Sequence, residues 1–132
     1  AALRRQIEAC GLSDRVTLTG ALDDVAVEYD RADIFALASQ YEGYGMAFAE
    51  AMVRGLPIVG CRGGAIPDLG TDEAGILVEP GDIAGLAEAL ALLIDQPETR
   101  QAYSAGALAV GQQLPDWPAT AKVLSDFLEE MR

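Results

Sequence analysis

Two carboxylates, Glu42 and Glu50, flank a glycine-containing turn in the stretch Glu42-Gly43-Tyr44-Gly45-Met46-Ala47-Phe48-Ala49-Glu50. Glycine at positions 43 and 45 lets the backbone turn tightly and come close to a bound molecule. A helix beginning just after Gly45 would open with its first amides unpaired. Free amides and the positive end of the helix dipole together form an anion site suited to phosphate. Helical side chains lean towards the amino end, so Glu50, about one turn inside, reaches back to the same mouth. A carboxylate there would repel phosphate but accept well from the paired hydroxyls of a ribose, as the acidic residue of dinucleotide folds does. Glu42 stands before the helix, on the loop, where a carboxylate can meet a sugar. The spacing therefore suits a nucleotide that carries a sugar: amides for phosphates, Glu50 for the ribose, Glu42 for the sugar. Glu50 is also surrounded by Ala47, Phe48, Ala49, Ala51 and Met52, and a carboxylate on so apolar a helix calls for a partner.

The elements that must hold this stretch alternate between helical and extended patterns. Leu3 to Cys10 carries Leu3, Ile7 and Cys10 on one helical face, and Gly11 ends it. Val16-Thr17-Leu18-Thr19-Gly20 is rich in β-branched residues and predicts a strand. Leu22 to Ala32 predicts a short helix. Ile34-Phe35-Ala36-Leu37-Ala38 is a continuous apolar run, as in a strand buried on both faces. After the turn, Met46 to Arg54 is helical and stops at Gly55 before Pro57. Pro57 to Cys61 and Gly75 to Glu79 predict two further strands. Helices follow from about Asp82 to Ile94, Pro97 to about Gln112, and Pro118 to Met131. Strands and helices in such alternation predict an α/β fold with a parallel sheet. Ligands of such sheets bind beyond the carboxyl ends of the strands. Thr19-Gly20, Ser39 to Gly45, Cys61 to Gly64 and Glu79 to Gly81 fall there.

Composition narrows the function. The 132 residues, 51% hydrophobic and 23% charged, suffice for one domain with a core. Nine basic against 21 acidic residues give a net charge of −12, which repels phosphate polymers and argues against nucleic-acid binding. There is no histidine, so this chain offers neither histidine acid–base catalysis nor histidine metal ligation. Two cysteines, Cys10 and Cys61, make neither a zinc site nor a disulfide framework and read as reduced thiols. No apolar run approaches the roughly 20 residues of a spanning helix. The start, Ala1 to Glu8, alternates charge with apolar residues and does not read as a signal peptide.

An ordered series of motifs carries a family resemblance. Ser39-x-x-Glu42-Gly43-Tyr44-Gly45-Met46 is followed by Glu50-Ala51-Met52-x-x-Gly55-x-Pro57-Ile58-Val59. Then come Gly63-Gly64-x-x-Pro67-Asp68, Gly75-Ile76-Leu77-Val78 and Pro80-Gly81-Asp82. From about Val16 to Arg100 the chain resembles the donor-binding, C-terminal domain of the retaining glycosyltransferases of family four, which have the two-domain GT-B architecture. The resemblance implies a Rossmann-like parallel sheet. It also implies that Glu50 holds the ribose of a nucleotide-diphosphate sugar, and that Glu42 binds donor-sugar hydroxyls near the anomeric centre as the catalytic position. The segment Gly43, Tyr44, Gly45, Met46 and Ala47 would contact diphosphate and sugar, chiefly through the amides around Gly45, Met46 and Ala47. The implied reaction is a front-face displacement in which the leaving diphosphate helps to deprotonate the acceptor. It needs neither a metal nor a cofactor; the nucleotide sugar is a substrate.

The chain departs from the family pattern in places. Ala47 stands where proline is common, which makes its amide available. Asp68 replaces a glutamate. The family's first two strands, with a glycine loop bearing basic residues for the diphosphate, have no counterpart here, nor has the N-terminal acceptor domain. Residues 1–132 therefore read as part of a donor domain, expected to be inactive alone. The strand at Val16 to Gly20 would then lack its neighbour, leaving an apolar edge that invites aggregation. The expected location is cytoplasmic, with peripheral attachment to the inner membrane through the absent domain left open.

Other crevice residues keep two readings. Ser39 is a cap or a phosphate contact. Gly63 and Gly64 are a tight loop at the site or a plain structural turn. Arg62 reads as solvated or salt-bridged ahead of a phosphate contact. The Tyr41 and Tyr44 side chains read as packing, Cys61 as a small core residue, and Trp117 as packing at the start of the last helix. Asp82, Glu88, Asp95 and Glu98 read as a solvated face. Two rival functions stand beside the transferase: a nucleotide-sugar-binding module without transfer, and a GT-B nucleotide-sugar epimerase. The sugar-facing Glu42 counts against the first, and the glutamate spacing, which fits the transferase better, against the second. A phosphorylated receiver domain needs a lysine after a late strand, whereas Lys122, the sole lysine, falls in the last predicted helix.

Overall fold

The computed structural model describes residues 2–130, apart from the side chains of Trp117, Leu124 and Glu130. The packing expected of Trp117 and the helix end expected at Met131 lie outside the described residues. In chain order the elements are α1 (Ala2–Ala9), α2 (Ala26–Arg31), β1 (Phe35–Leu37), α3 (Met46–Val53) and β2 (Ile58–Cys61). A 3-10 turn (Pro67–Leu69), α4 (Thr71–Ala74), β3 (Gly75–Val78), α5 (Ile83–Asp95), α6 (Pro97–Gly111) and α7 (Trp117–Glu130) follow. No described helix is long and apolar enough to cross a membrane.

The strands form one parallel sheet in the order β1-β2-β3. Phe35 pairs with Ile58, and Val59 with Ile76. Parallel neighbours need a crossover: α3 supplies it between β1 and β2, and the 3-10 turn with α4 between β2 and β3. All four residues of β2 are buried, as a central strand covered on both faces should be. Side chains alternate along it. Ile58 joins Phe48, Met52, Ile66, Leu69, Ala107 and Val110 on one face, whereas Val59 joins Ala89 and Leu93 of α5 on the other. Both ends of α5 are capped. Asp82 accepts from the Gly85 amide at 2.9 Å to start α5. Arg100 donates to the carbonyls of Leu93 and Ile94 at 2.8 and 3.2 Å near its end.

The fold departs from the sequence expectations at four places. Residues 16–20 make no strand. A strand needs a ladder partner, and no described segment pairs with them, so Val16 and Leu18 remain 39% and 41% exposed. Helix α2 starts at Ala26 instead of Leu22, because the Asp24 carboxylate takes the Ala26 amide at 2.9 Å and holds the preceding residues in a turn. β1 is an edge strand among the described residues, so Phe35 and Leu37 are half-buried and Ala36 is exposed. The 3-10 turn and α4 were not expected. Each is too short to show a period, and both are held by the buried Thr71 hydroxyl, which donates to the Ile66 carbonyl at 2.9 Å.

Candidate functional site

The loop after β1 and the loop after β2 meet beyond the carboxyl ends of the strands. Glu42 and Gly64 pair as an isolated parallel bridge, and the Ala65 amide donates to the Glu42 carbonyl at 2.9 Å. The approach is so close that a Cβ on Gly64 would stand 2.9 Å from the Glu42 nitrogen, and one on Gly63 would press on the Gln40 backbone. Gly64 has φ +65, a left-handed conformation that glycine adopts without steric cost. The glycine pair therefore latches the two loops together. At the other end of the loop, the Arg62 amide donates to the Val78 carbonyl at 2.8 Å, tying it to the end of β3.

Gly45 caps α3 with φ 86 and ψ 46 and lies buried under Ile66 and Leu69. Its carbonyl accepts from Ala49 at 3.0 Å, whereas the amides of Met46, Ala47 and Phe48 have no backbone acceptor among the described residues. No side chain caps this end, so Ser39, half-buried after β1, is not its cap. α3 thus opens as an unsatisfied, positively polarised mouth. Phe48, Ala51 and Met52 anchor the helix in the core, while Glu50 is half-buried on its flank and Glu42 is half-buried in the facing loop.

Other expected residues fall differently. Arg62 donates to Asp72 at 3.0 Å and is salt-bridged, in keeping with the favoured reading. The Tyr41 and Tyr44 side chains, expected to pack, are 76% and 42% exposed, because their loop stands above the strand ends with no described element over it. Cys61 is buried, Cys10 is exposed, and neither is in a disulfide. Asp82, Glu88, Asp95 and Glu98 are exposed, with Asp82 also serving as a cap. Thr19-Gly20 is exposed, and no hydrogen bond among the described residues ties it to the paired loops. A cavity of about 490 Å³ lies at the opposite, amino end of β1 and β2, lined by residues that include Asp33, Arg54, Pro57 and Arg100.

Tyr29 on α2 packs against the helix that carries the candidate site, and sequence reasoning missed it. Its hydroxyl lies 3.5 Å from the Ala47 carbonyl, and the Arg54 guanidinium sits over its ring at 5.3 Å. Burial raises its pKa above the ordinary 10.0; the neighbouring Glu50 carboxylate raises it further, and Arg54 opposes them. No local spacing marks Tyr29, because only tertiary packing joins α2 to α3.

The family of glycosyl transferases group 1 matches residues 1–109. The chain belongs to that family. Among relatives of this group 1 member, the lipopolysaccharide core biosynthesis mannosyltransferase LpsB of Rhizobium meliloti is 30% identical over 81% of the chain and 31% of its own length. A GDP-mannose-dependent alpha-(1-6)-phosphatidylinositol monomannoside mannosyltransferase of Mycobacterium tuberculosis is 34% identical over 96% of the chain and 35% of its own length. The chain therefore spans about a third of the length of these curated relatives. In shape it matches Anabaena HepE, crystallised with UDP and glucose, with a TM-score of 0.90 at 26% identity, covering 98% of the chain and 36% of HepE. The α/β, Rossmann-like fold is that of GT-B glycosyltransferases.

Proposed function

We propose that this chain is the donor-binding part of a glycosyltransferase that moves a sugar from a nucleotide diphosphate to an acceptor with retention of anomeric configuration. One observation carries the reading: the uncapped amino end of α3 opens beside the Glu42 loop that Gly64 latches, with Glu50 one turn inside. The amides of Met46, Ala47 and Phe48 would take the diphosphate. Glu50 would accept from the ribose hydroxyls, and Glu42 would bind hydroxyls of the donor sugar near its anomeric carbon. Gly43, Tyr44 and Gly45 would line the same mouth through their backbone. In the transfer step the bond from the anomeric carbon to the diphosphate oxygen breaks and a bond to the acceptor oxygen forms on the same face. The acceptor proton passes to the departing diphosphate. The nucleotide sugar reported for HepE and the GDP-mannose dependence of the mycobacterial relative support a donor of this class. The acceptor would be chosen by the N-terminal domain of such an enzyme.

The test is a titration with uridine, guanosine and adenosine diphosphates, each with and without an attached sugar, followed by amide NMR. Selective shifts from Gly43 to Glu50 that weaken in Glu50→Ala are the expected result and would identify the base. Binding with no response in that segment would refute the assignment.

A further inference from the structure

We propose that Tyr29 is a positioning residue for Glu50, holding its carboxylate in the pose that receives ribose hydroxyls. The proposal rests on the reading of Glu50 as the ribose acceptor and extends it to a second element. Ala47, Glu50 and Arg54 are spaced three and four apart along α3 and its C-cap, so they share one helix face. Tyr29 spans that face. Its hydroxyl lies 3.5 Å from the Ala47 carbonyl, and its ring carries the Arg54 guanidinium at 5.3 Å. Glu50 falls between Ala47 and Arg54 in the order of residues along that face. At 3.5 Å the carbonyl is a weak acceptor, and a charged carboxylate competes for the same proton with a stronger hydrogen bond. The raised Tyr29 pKa, to which the nearby Glu50 carboxylate contributes, agrees with that placement.

The surroundings make Tyr29 a rigid donor. Its ring lies 5.8 Å from Phe35, which meets buried Phe48 edge-on at 5.2 Å. Arg54, the nearby cation, is engaged elsewhere: it pairs with Asp30 at 3.3 Å and donates to the Glu50 carbonyl at 3.2 Å. A carboxylate has about four acceptor sites. One bond from the phenol, turned from the Ala47 carbonyl to the carboxylate, would fix its rotamer and leave the rest open to a pair of hydroxyls.

The experiment measures binding of UDP and GDP, and of their 2′-deoxy forms, to the intact protein, its Tyr29→Phe variant and its Glu50→Ala variant. Phenylalanine keeps the ring and removes only the hydroxyl. Wild type should prefer the ribose forms, and Glu50→Ala should lose the preference. Tyr29→Phe should bind the ribose forms about fivefold more weakly and leave the deoxy forms nearly unchanged. A matching thermal melt would show that the fold is intact. Equal weakening of both forms, or no change in either, overturns the proposal. If Glu50→Ala keeps the preference, the ribose reading itself fails; if only Tyr29→Phe keeps it, the ribose reading stands and positioning by Tyr29 fails. A variant-free check comes from NMR of wild type. The Tyr29 ring signals should shift more with the ribose form than with the deoxy form, and equal shifts would count against the proposal.

Discussion

Glu42 and Gly64 run side by side as a single parallel bridge, 22 residues apart in sequence, and the Ala65 amide closes it on the Glu42 carbonyl at 2.9 Å. The bridge places a half-buried carboxylate opposite the second glycine loop. Alanine at position 64 must adopt a left-handed backbone and also drive its Cβ into the Glu42 main chain. The first effect alone costs about 1–2 kcal/mol. Gly64→Ala should therefore lower stability by at least that much in urea unfolding and weaken nucleotide-sugar binding. Gly43→Ala is the internal control: a Cβ there meets nothing within 4 Å, so its stability should stay within about 0.5 kcal/mol of wild type. Equal effects at both positions would contradict the latch.

The roles proposed for Glu42 and Glu50 lie on different parts of the donor, so their variants should separate. Glu42→Gln keeps the shape and removes the charge near the proposed anomeric centre. It should leave UDP or GDP affinity close to wild type while lowering kcat of the complete enzyme. Hydrogen bonds to charged groups contribute about 1.5–3 kcal/mol, so the loss should be roughly ten- to a hundredfold. Steady-state transfer assays beside nucleotide titrations would show it. A drop in nucleotide affinity with unchanged kcat would reverse the two assignments.

Alkaline pH should expose the Tyr29 environment. Its pKa is raised above 10.0 by burial first and then by Glu50, against the pull of Arg54, which is itself paired with the Asp30 carboxylate. A raised value means the native state holds the phenol proton more tightly than the unfolded chain does. The stabilisation is complete below the unfolded pKa and is lost as pH rises through the folded one. From about pH 9 to about pH 11, wild type should therefore lose stability more steeply than Tyr29→Phe. Parallel slopes in urea melts would remove the proposed coupling.

The three strands and the longer helices between Ile34 and Asp95 could be read in the sequence because apolar runs and turn residues mark each of them locally, whereas the short 3-10 turn and α4 among them carry no such mark. The open helix end after Gly45 was legible for the same reason: turn, cap and helix are local. Residues 16–20 show the limit. Val16 and Leu18 have strand chemistry, but pairing is a property of two segments, and no second one is described beside them. Tyr29 was illegible for the converse reason, since its partners on α3 lie 18 to 25 residues away. Ile7, Val16 and Leu18 line an open groove of about 230 Å³ between α1 and the extended segment.

That groove predicts behaviour in solution. Leu18 is 41% exposed and Val16 39%, on backbone with no ladder partner among the described residues, a template for edge-to-edge pairing. The chain studied alone should self-associate as its concentration rises. Leu18→Lys should reduce that association, as charges on natural edge strands do, with stability changed by no more than about 0.5 kcal/mol. Light scattering across a concentration series would show the difference. Identical scattering from both proteins would mean that another surface drives association.

Gly60 and Phe48 should be energetically coupled, and through them β2 and the helix that carries the site. Phe48 is fully buried beneath the amino end of α3. A Cβ on Gly60 would stand 2.6 and 2.7 Å from its ring carbons Cε1 and Cζ, so the helix approaches the sheet as closely as it does only because residue 60 has no side chain. Gly60→Ala should destabilise by about 1–3 kcal/mol through overpacking. Phe48→Leu should destabilise on its own by removing buried ring atoms. Together they should cost less than the sum, because the smaller side chain vacates the space that the new methyl needs. The overpacked single variant should also weaken nucleotide-sugar binding, since displacing Phe48 moves the three free amides at the mouth of α3. A double-mutant cycle by urea unfolding measures the coupling, and strict additivity would show that the helix accommodates the methyl by a route that leaves Phe48 in place.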